Sequence, residues 1–316
     1  MNRNTDVSKY EILYDLPKGE CGEKEIGGMR TKTIRAGDSL EVEAFPITHV
    51  NQAAKREAKK RKSSNAQVKL NRRKAARRLR RLAEHNYKAG DIVLHPTINY
   101  GFIDRGFVNI DSVLEEMHAL GIPMDDETAR KLIRNFIARI RRLIRRRGGN
   151  PAAFKYIYVI ETTREPRDDD FNALPARYHY HMIITSLGIL TAEDLQALWP
   201  LGYVKADLLD FRFNGLEGLC TYMTKQRRFT RRWAHSKNMI EPEEKVSNRK
   251  ISRRRAAQIA ADVRINAREI MEKIYPGYTV EEAEVKYSDF VAGAYIYVRM
   301  RRTQSRPRRT PARMIA

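Results

Sequence analysis

His179 and His181 stand one residue apart in the run Tyr178-His179-Tyr180-His181-Met182-Ile183-Ile184-Thr185. The run alternates, and its second half favours a β-strand. Successive side chains of a strand point to opposite faces, so the two imidazoles project side by side from one face. A pair held that way can grip one divalent metal ion. Two half-buried histidines on a sheet edge would show the same spacing, so the pair needs company. Downstream, Gly215 to Lys225 reads as a short helix on which Tyr222 and Lys225, three residues apart, share a face. A phenol is a poor nucleophile near neutral pH. A metal-polarised phosphodiester and a nearby ammonium would activate it or stabilise the developing charge. In isolation, an amphipathic core tyrosine accounts for Tyr222 equally well.

The elements around these residues must position them. Tyr156 to Glu161 reads as a strand, followed by a long connection that contains Asp168-Asp169-Asp170. If it pairs with the histidine strand about a turn near Asp170, Glu161 falls opposite His179. The resulting His/His/Glu set suits Mg²⁺ or Mn²⁺, with water and phosphate oxygens completing the shell. Otherwise Glu161 caps or salt-bridges. Nothing orients the three consecutive aspartates together, and they read as a solvated loop. Between 127 and 147, Leu132, Ile133, Phe136, Ile137, Ile140, Leu143 and Ile144 recur at helical spacing, with arginines on the other side. That apolar stripe is expected to pack on the sheet. Residues 91–100 read as a further strand, 190–199 as a short helix, and Gly202 to Ala206 as a strand. Tyr203 is the nearest rival to Tyr222, but it lacks a lysine one helical turn away. His95, His118 and His235 look scattered, and a plain surface role suits His235 better than a DNA contact.

The 316-residue chain carries a net charge of +22 with 42% hydrophobic residues. This describes an ordinary soluble core with a surplus that attracts a polyanion, nucleic acid first. No apolar run approaches the roughly 20 residues that span a bilayer. The N-terminus leads into no apolar signal core. Two cysteines, Cys21 and Cys220, make neither a disulfide framework nor a Cys-x-x-Cys zinc pattern, and they fit a reducing cytoplasm. Cys220 is expected to be a small packing residue. The basic density concentrates in a helical arm over 50–86, where Lys59, Lys60, Arg61, Arg77, Arg78, Arg80 and Arg81 are expected to meet DNA phosphates. Arg232 and Trp233 form a second basic and aromatic candidate contact.

In this order of elements the chain resembles the HUH endonucleases, and within them the rolling-circle replication initiators (Rep proteins) of small bacterial plasmids and phages. Tyr180 fills the middle slot of the His-hydrophobic-His motif. The resemblance spans roughly residues 28–245 and takes in the strand near Asp91 to Tyr100, the basic helix ending near Arg147, both later strands and the Tyr222 helix. Pro96-Thr97-Ile98-Asn99 is a loose version of the Thr-Leu-Thr-like core that initiators usually carry. The tyrosine follows the histidines, as in initiators and single-tyrosine transposases. Relaxases place it before them. Gln226 stands where some initiators carry a second tyrosine. The resemblance implies an RNA-recognition-like α+β fold with a central antiparallel sheet, helices on one face and the metal site on the other. It implies that Tyr222 attacks a phosphodiester and keeps the 5′-phosphate, freeing a 3′-OH. The implied partner is origin DNA, single-stranded at the nick. With no phosphate-loop motif in the chain, a host helicase and polymerase are expected as well.

The expected organisation is 1–27 disordered, 28–90 a hairpin and basic helical arm, 91–245 catalytic, 246–299 a basic helix with strand-like residues, and 300–316 a disordered basic tail. A single-tyrosine transposase, a non-catalytic nucleic-acid-binding protein and a ribosome-associated RNA binder remain as alternatives. Oligomeric state has no signature.

Overall fold

The computed structural model describes residues 25–48, 65–98, 126–162, 178–211, 215–225, 233–287 and 293–303. The chain divides into two compact units, Arg72–Glu241 and a discontinuous one made of Met1–Asn71 with Pro242–Ala316. Among the described residues each unit carries one five-stranded antiparallel sheet, and six helices accompany them. The fold is α+β. No helix among the described residues is long and apolar enough to cross a membrane.

The Arg72–Glu241 unit is built on β3 (Ile92–Pro96), β4 (Tyr156–Thr162), β5 (Tyr178–Ile184), β6 (Val204–Leu208) and β7 (Ala234–His235), in the order β6-β3-β5-β4-β7. Helix α2 (Asp126–Arg146) covers one face. Ala129, Leu132, Ile133, Phe136, Ile137, Ile140 and Ile144 form its buried stripe. Asp126 and Glu127 sit in its first turn and Arg145 and Arg146 in its last, each favourable to the helix dipole. The stripe meets Tyr178, Tyr180, Met182 and Ile184 of β5. Each such buried side chain contributes about 1.5–3 kcal/mol. Two hydrogen bonds fix α2 on the strand: Tyr180 OH donates to the Ala129 carbonyl at 2.9 Å and Tyr178 OH to Asp126 at 2.8 Å. Thus Tyr178 and Tyr180, alternating with the histidines, anchor the far side of the histidine strand. Helix α3 (Ala192–Ala197) lies on the same face and is started by a Thr191/Asp194 capping box.

The opposite face is covered by helix α1 (Asn65–Asn86) and helix α4 (Glu217–Met223), through Leu79, Leu82, Ala83, Leu216, Cys220 and Met223 packed on Val93, Ile157, Val159 and Ile183. Helices therefore occupy both faces, and not one alone as the resemblance implies.

In the other unit, β8 (Glu243–Ser247), β1 (Glu25–Ala36), β2 (Ser39–Thr48), β10 (Ala294–Arg302) and β9 (Tyr278–Tyr287) form the sheet β8-β1-β2-β10-β9. The expected hairpin is present, its two-residue turn carrying Gly37 at φ 58°. Helices α5 (Arg253–Ala261) and α6 (Val263–Ile274) cover one sheet face through Ala256, Ile259, Ala267 and Met271. The single basic helix expected over 246–275 is two helices preceded by a strand. Asp262 ends α5 with extended backbone and caps α6, its carboxylate accepting from the amides of Arg264 and Ile265. β10 runs on to Arg302, into the expected tail, because Arg301 pairs with Ser39 and binds Glu281. The expected disordered stretches 1–24 and 304–316, and half of the arm at 50–64, lie outside the described residues.

Candidate active site

The antiparallel register of β4 and β5 pairs Glu161 with His179, as the hairpin reading expected. Pairing on the other side, of Leu94 with Met182 and Thr97 with His179, brings β3 alongside with His95 opposite His181. Alternation then does the rest. Glu161, His179, His181 and His95 all stand on the sheet face that α1 and α4 cover.

The donor atoms of Glu161, His179 and His181 lie within 4.8 Å of one another. Glu161 Oε2 is 2.8 Å from His181 Nε2 and 3.4 Å from His179 Nε2. His181 is 2% exposed. Burial, then the neighbouring His95 and His179 rings, push its pKa down to about 4. It is therefore neutral at physiological pH, and its contact with Glu161 is a hydrogen bond rather than an ion pair. Burial lowers His95 as well, aided by Lys205. His95 Nδ1 lies 2.7 Å from His181 Nδ1. The Nδ1 atom of His179 is buried with no hydrogen-bond partner among the described residues.

Neutral imidazoles plus a carboxylate converging on one point fit a divalent cation. If the lone pair of His181 Nε2 is given to a cation, the ring proton must sit on Nδ1. There His95 Nδ1 is placed to accept it, the outer partner that fixes a ligand's tautomer. His95 was missed by sequence reasoning. Its only signal is its place two residues before Thr97 on a strand whose partner was not known.

Tyr222 reaches the same cluster from α4. Its ring centroid is 4.9 Å from that of His181, edge to face at 87°, and it is 48% exposed. Several contacts hold α4 there. Cys220 and Met223 are buried beneath it, Glu84 of α1 accepts from the Leu216 amide at 3.1 Å, and Arg80 Nη1 lies 3.4 Å from Glu217. Burial pushes the Cys220 thiol up, so it stays protonated and inert, the packing residue that was expected. Lys225 lies just past the helix, exposed, its amide donating to the Tyr222 carbonyl at 3.0 Å. Tyr203 precedes β6 and is 64% exposed, and it makes no ring contact with the cluster.

Residues 116–227 match the family model of the replication-associated protein ORF2. The matched stretch contains α2, β4, β5, β6 and α4, and so every residue of the cluster except His95. No curated protein and no solved structure matches the chain.

The expected DNA contacts divide. Arg78 is exposed, and Arg77 and Arg81 are half-buried. Arg80 is 1% exposed and committed to Glu217, so its charge holds α4 instead of facing a phosphate. Trp233 is half-buried against the α1–α4 core. His235 is exposed on β7, where its Nδ1 contacts the Ser236 carbonyl. Lys59, Lys60, Arg61, Arg232, His118 and the three aspartates lie outside the described residues.

Proposed function

We propose that this chain is a rolling-circle replication initiator of the HUH kind, which nicks and rejoins one strand of origin DNA through a 5′-phosphotyrosine. The observation that carries the proposal is the meeting of Tyr222 with the Glu161/His179/His181 cluster, edge to face on His181 at 4.9 Å. The match of 116–227 to a replication-associated family supports it.

In this reading Glu161, His179 and His181 hold Mg²⁺ or Mn²⁺, which when bound polarises the scissile phosphate. The sheet keeps the three donors on one face, and His95 holds the tautomer of His181. The Tyr222 Oη loses its proton and bonds to phosphorus as the bond from phosphorus to the 3′ oxygen breaks. The departing oxygen takes up a proton and becomes the free 3′-OH. Exposure of Tyr222 leaves room for a strand to lie across it. Lys225, one helical turn away, supplies positive charge to the developing phosphorane or helps deprotonate the phenol. Rejoining runs the same bonds backwards with a 3′-OH as nucleophile. Origin DNA must be single-stranded at the nick. Strand separation beyond it falls to a host helicase and synthesis to a host polymerase.

The test incubates labelled single-stranded DNA tiling the chain's own replicon with wild type, Tyr222→Phe, and the double variant His179→Ala with His181→Ala, in Mn²⁺ or EDTA. A covalent protein–DNA adduct that needs Mn²⁺ and is lost in both variants is expected. Tight binding without an adduct in any metal would contradict it and favour a non-catalytic binder.

A further inference from the structure

Helix α2 and strand β4 enclose a second feature, on the sheet face away from the histidines. A groove of about 440 Å³ is lined by Arg134, Arg141, Arg142 and Arg145 of α2, with Ile137, Ala138 and Tyr156 at its base. All four arginines are exposed. Among the described residues none of the four has a carboxylate partner: Arg134 and Arg142 donate only to carbonyls of their own helix. Exposed cations elsewhere are paired, Arg147 with Asp194, Arg268 with Glu272, Lys273 with Glu269 and Lys245 with Glu243. Four uncompensated guanidiniums around one concavity repel each other, and a polyanion relieves the repulsion.

We propose that this groove binds the phosphate backbone of duplex DNA flanking the nick. The choice of DNA rests on the proposed function, and the groove extends it to a second surface. Arg134 to Arg145 spans eleven residues, about 16 Å along a helix axis. One small phosphate cannot serve guanidiniums spread over that length. Duplex DNA presents a charge about every 1.7 Å of its axis and serves them all, and each planar guanidinium suits a phosphate's oxygens. A single strand is disfavoured by the aromatic residues. Single-strand sites rely on open ring faces for base stacking. Here Arg141 lies over the Tyr156 ring at 5.7 Å, and Tyr158 stacks beside it at 6.1 Å. The nick itself cannot lie in the groove, because Tyr156 and Tyr158 point to the face opposite Glu161.

The test uses the full chain in EDTA, so that no cleavage intervenes. Wild type is compared with the combined variant Arg134→Gln, Arg141→Gln, Arg142→Gln and Arg145→Gln. The probes are a labelled duplex of arbitrary sequence and one of its strands alone. The combined variant should lose at least about tenfold in duplex affinity, and its slope of log affinity against log salt should flatten by about 3, near 0.9 per phosphate lost. Single-strand affinity should fall less. Each arginine changed alone should flatten the slope by about 0.9, which covers the case in which the combined variant misfolds. The paired-cation control Arg268→Gln with Lys273→Gln should leave the slope as it is. An unchanged duplex slope, or an equal loss on the single strand, overturns the proposal. Duplex binding that depends on these arginines in a chain that never forms an adduct would sink the nicking reading and keep this one. The opposite pattern would sink only the groove.

Discussion

His181 sits between two partners, Glu161 on Nε2 at 2.8 Å and His95 on Nδ1 at 2.7 Å. Only one of the two nitrogens of a neutral ring carries the proton. His95 therefore decides which one is offered to a cation. His95→Ala is expected to weaken Mn²⁺ binding about 10–100-fold in calorimetric titration, as loss of such outer partners does elsewhere. Unchanged affinity would reduce His95 to packing. Much of this cluster was legible in the sequence. The one-residue spacing of the histidines sets their common face, and the pairing of Glu161 with His179 follows from the hairpin register. His95 was not legible, since its position depends on β3 pairing with β5, strands separated by a long stretch with no local signal for the pairing.

At the scale of elements, α1 has a structural role that its basic composition concealed. Its arginine run suggests a phosphate contact for Arg80. Helical periodicity instead turns Arg80 inward with Leu79 and Ala83, where it meets Glu217. Arg80→Ala is expected to destabilise the protein by about 3–5 kcal/mol in urea unfolding, the usual cost of removing one partner of a buried ion pair. Its DNA salt slope should not change. A flatter salt slope at unchanged stability would restore the phosphate role. Helix α2, legible from its apolar stripe, gives the complementary case. Phe136 is fully buried at its centre, and Phe136→Ala should cost about 3–5 kcal/mol in the same measurement. The break between α5 and α6 was not legible, because Asp262 looks like an ordinary helical polar residue until its carboxylate is seen capping the second helix.

Over the whole molecule, the surplus of +22 marks a polyanion partner, and the structure gives it places to act, such as the unpaired arginines of α2. If six or more phosphates are engaged, DNA affinity should fall about 10³-fold or more between 50 and 200 mM salt, read by fluorescence anisotropy. A flat salt response would contradict the polyanion reading. The α+β class was legible from alternating strand and helix patterns. The sheet that joins β1 and β2 to β10, β9 and β8 was not, because β2 and β10 pair across some 250 residues of sequence. Local propensity carries no record of such contacts.

The central claim is that Tyr222 makes the covalent bond to DNA. The most direct measurement is to trap the adduct in Mn²⁺, digest it with protease and nuclease, and find the nucleotide-bearing peptide by mass spectrometry. The account predicts a 5′-phosphate on Tyr222, in the peptide bounded by Arg212 and Lys225. A 5′-phosphate on Tyr203, or on any residue outside α4, would contradict it.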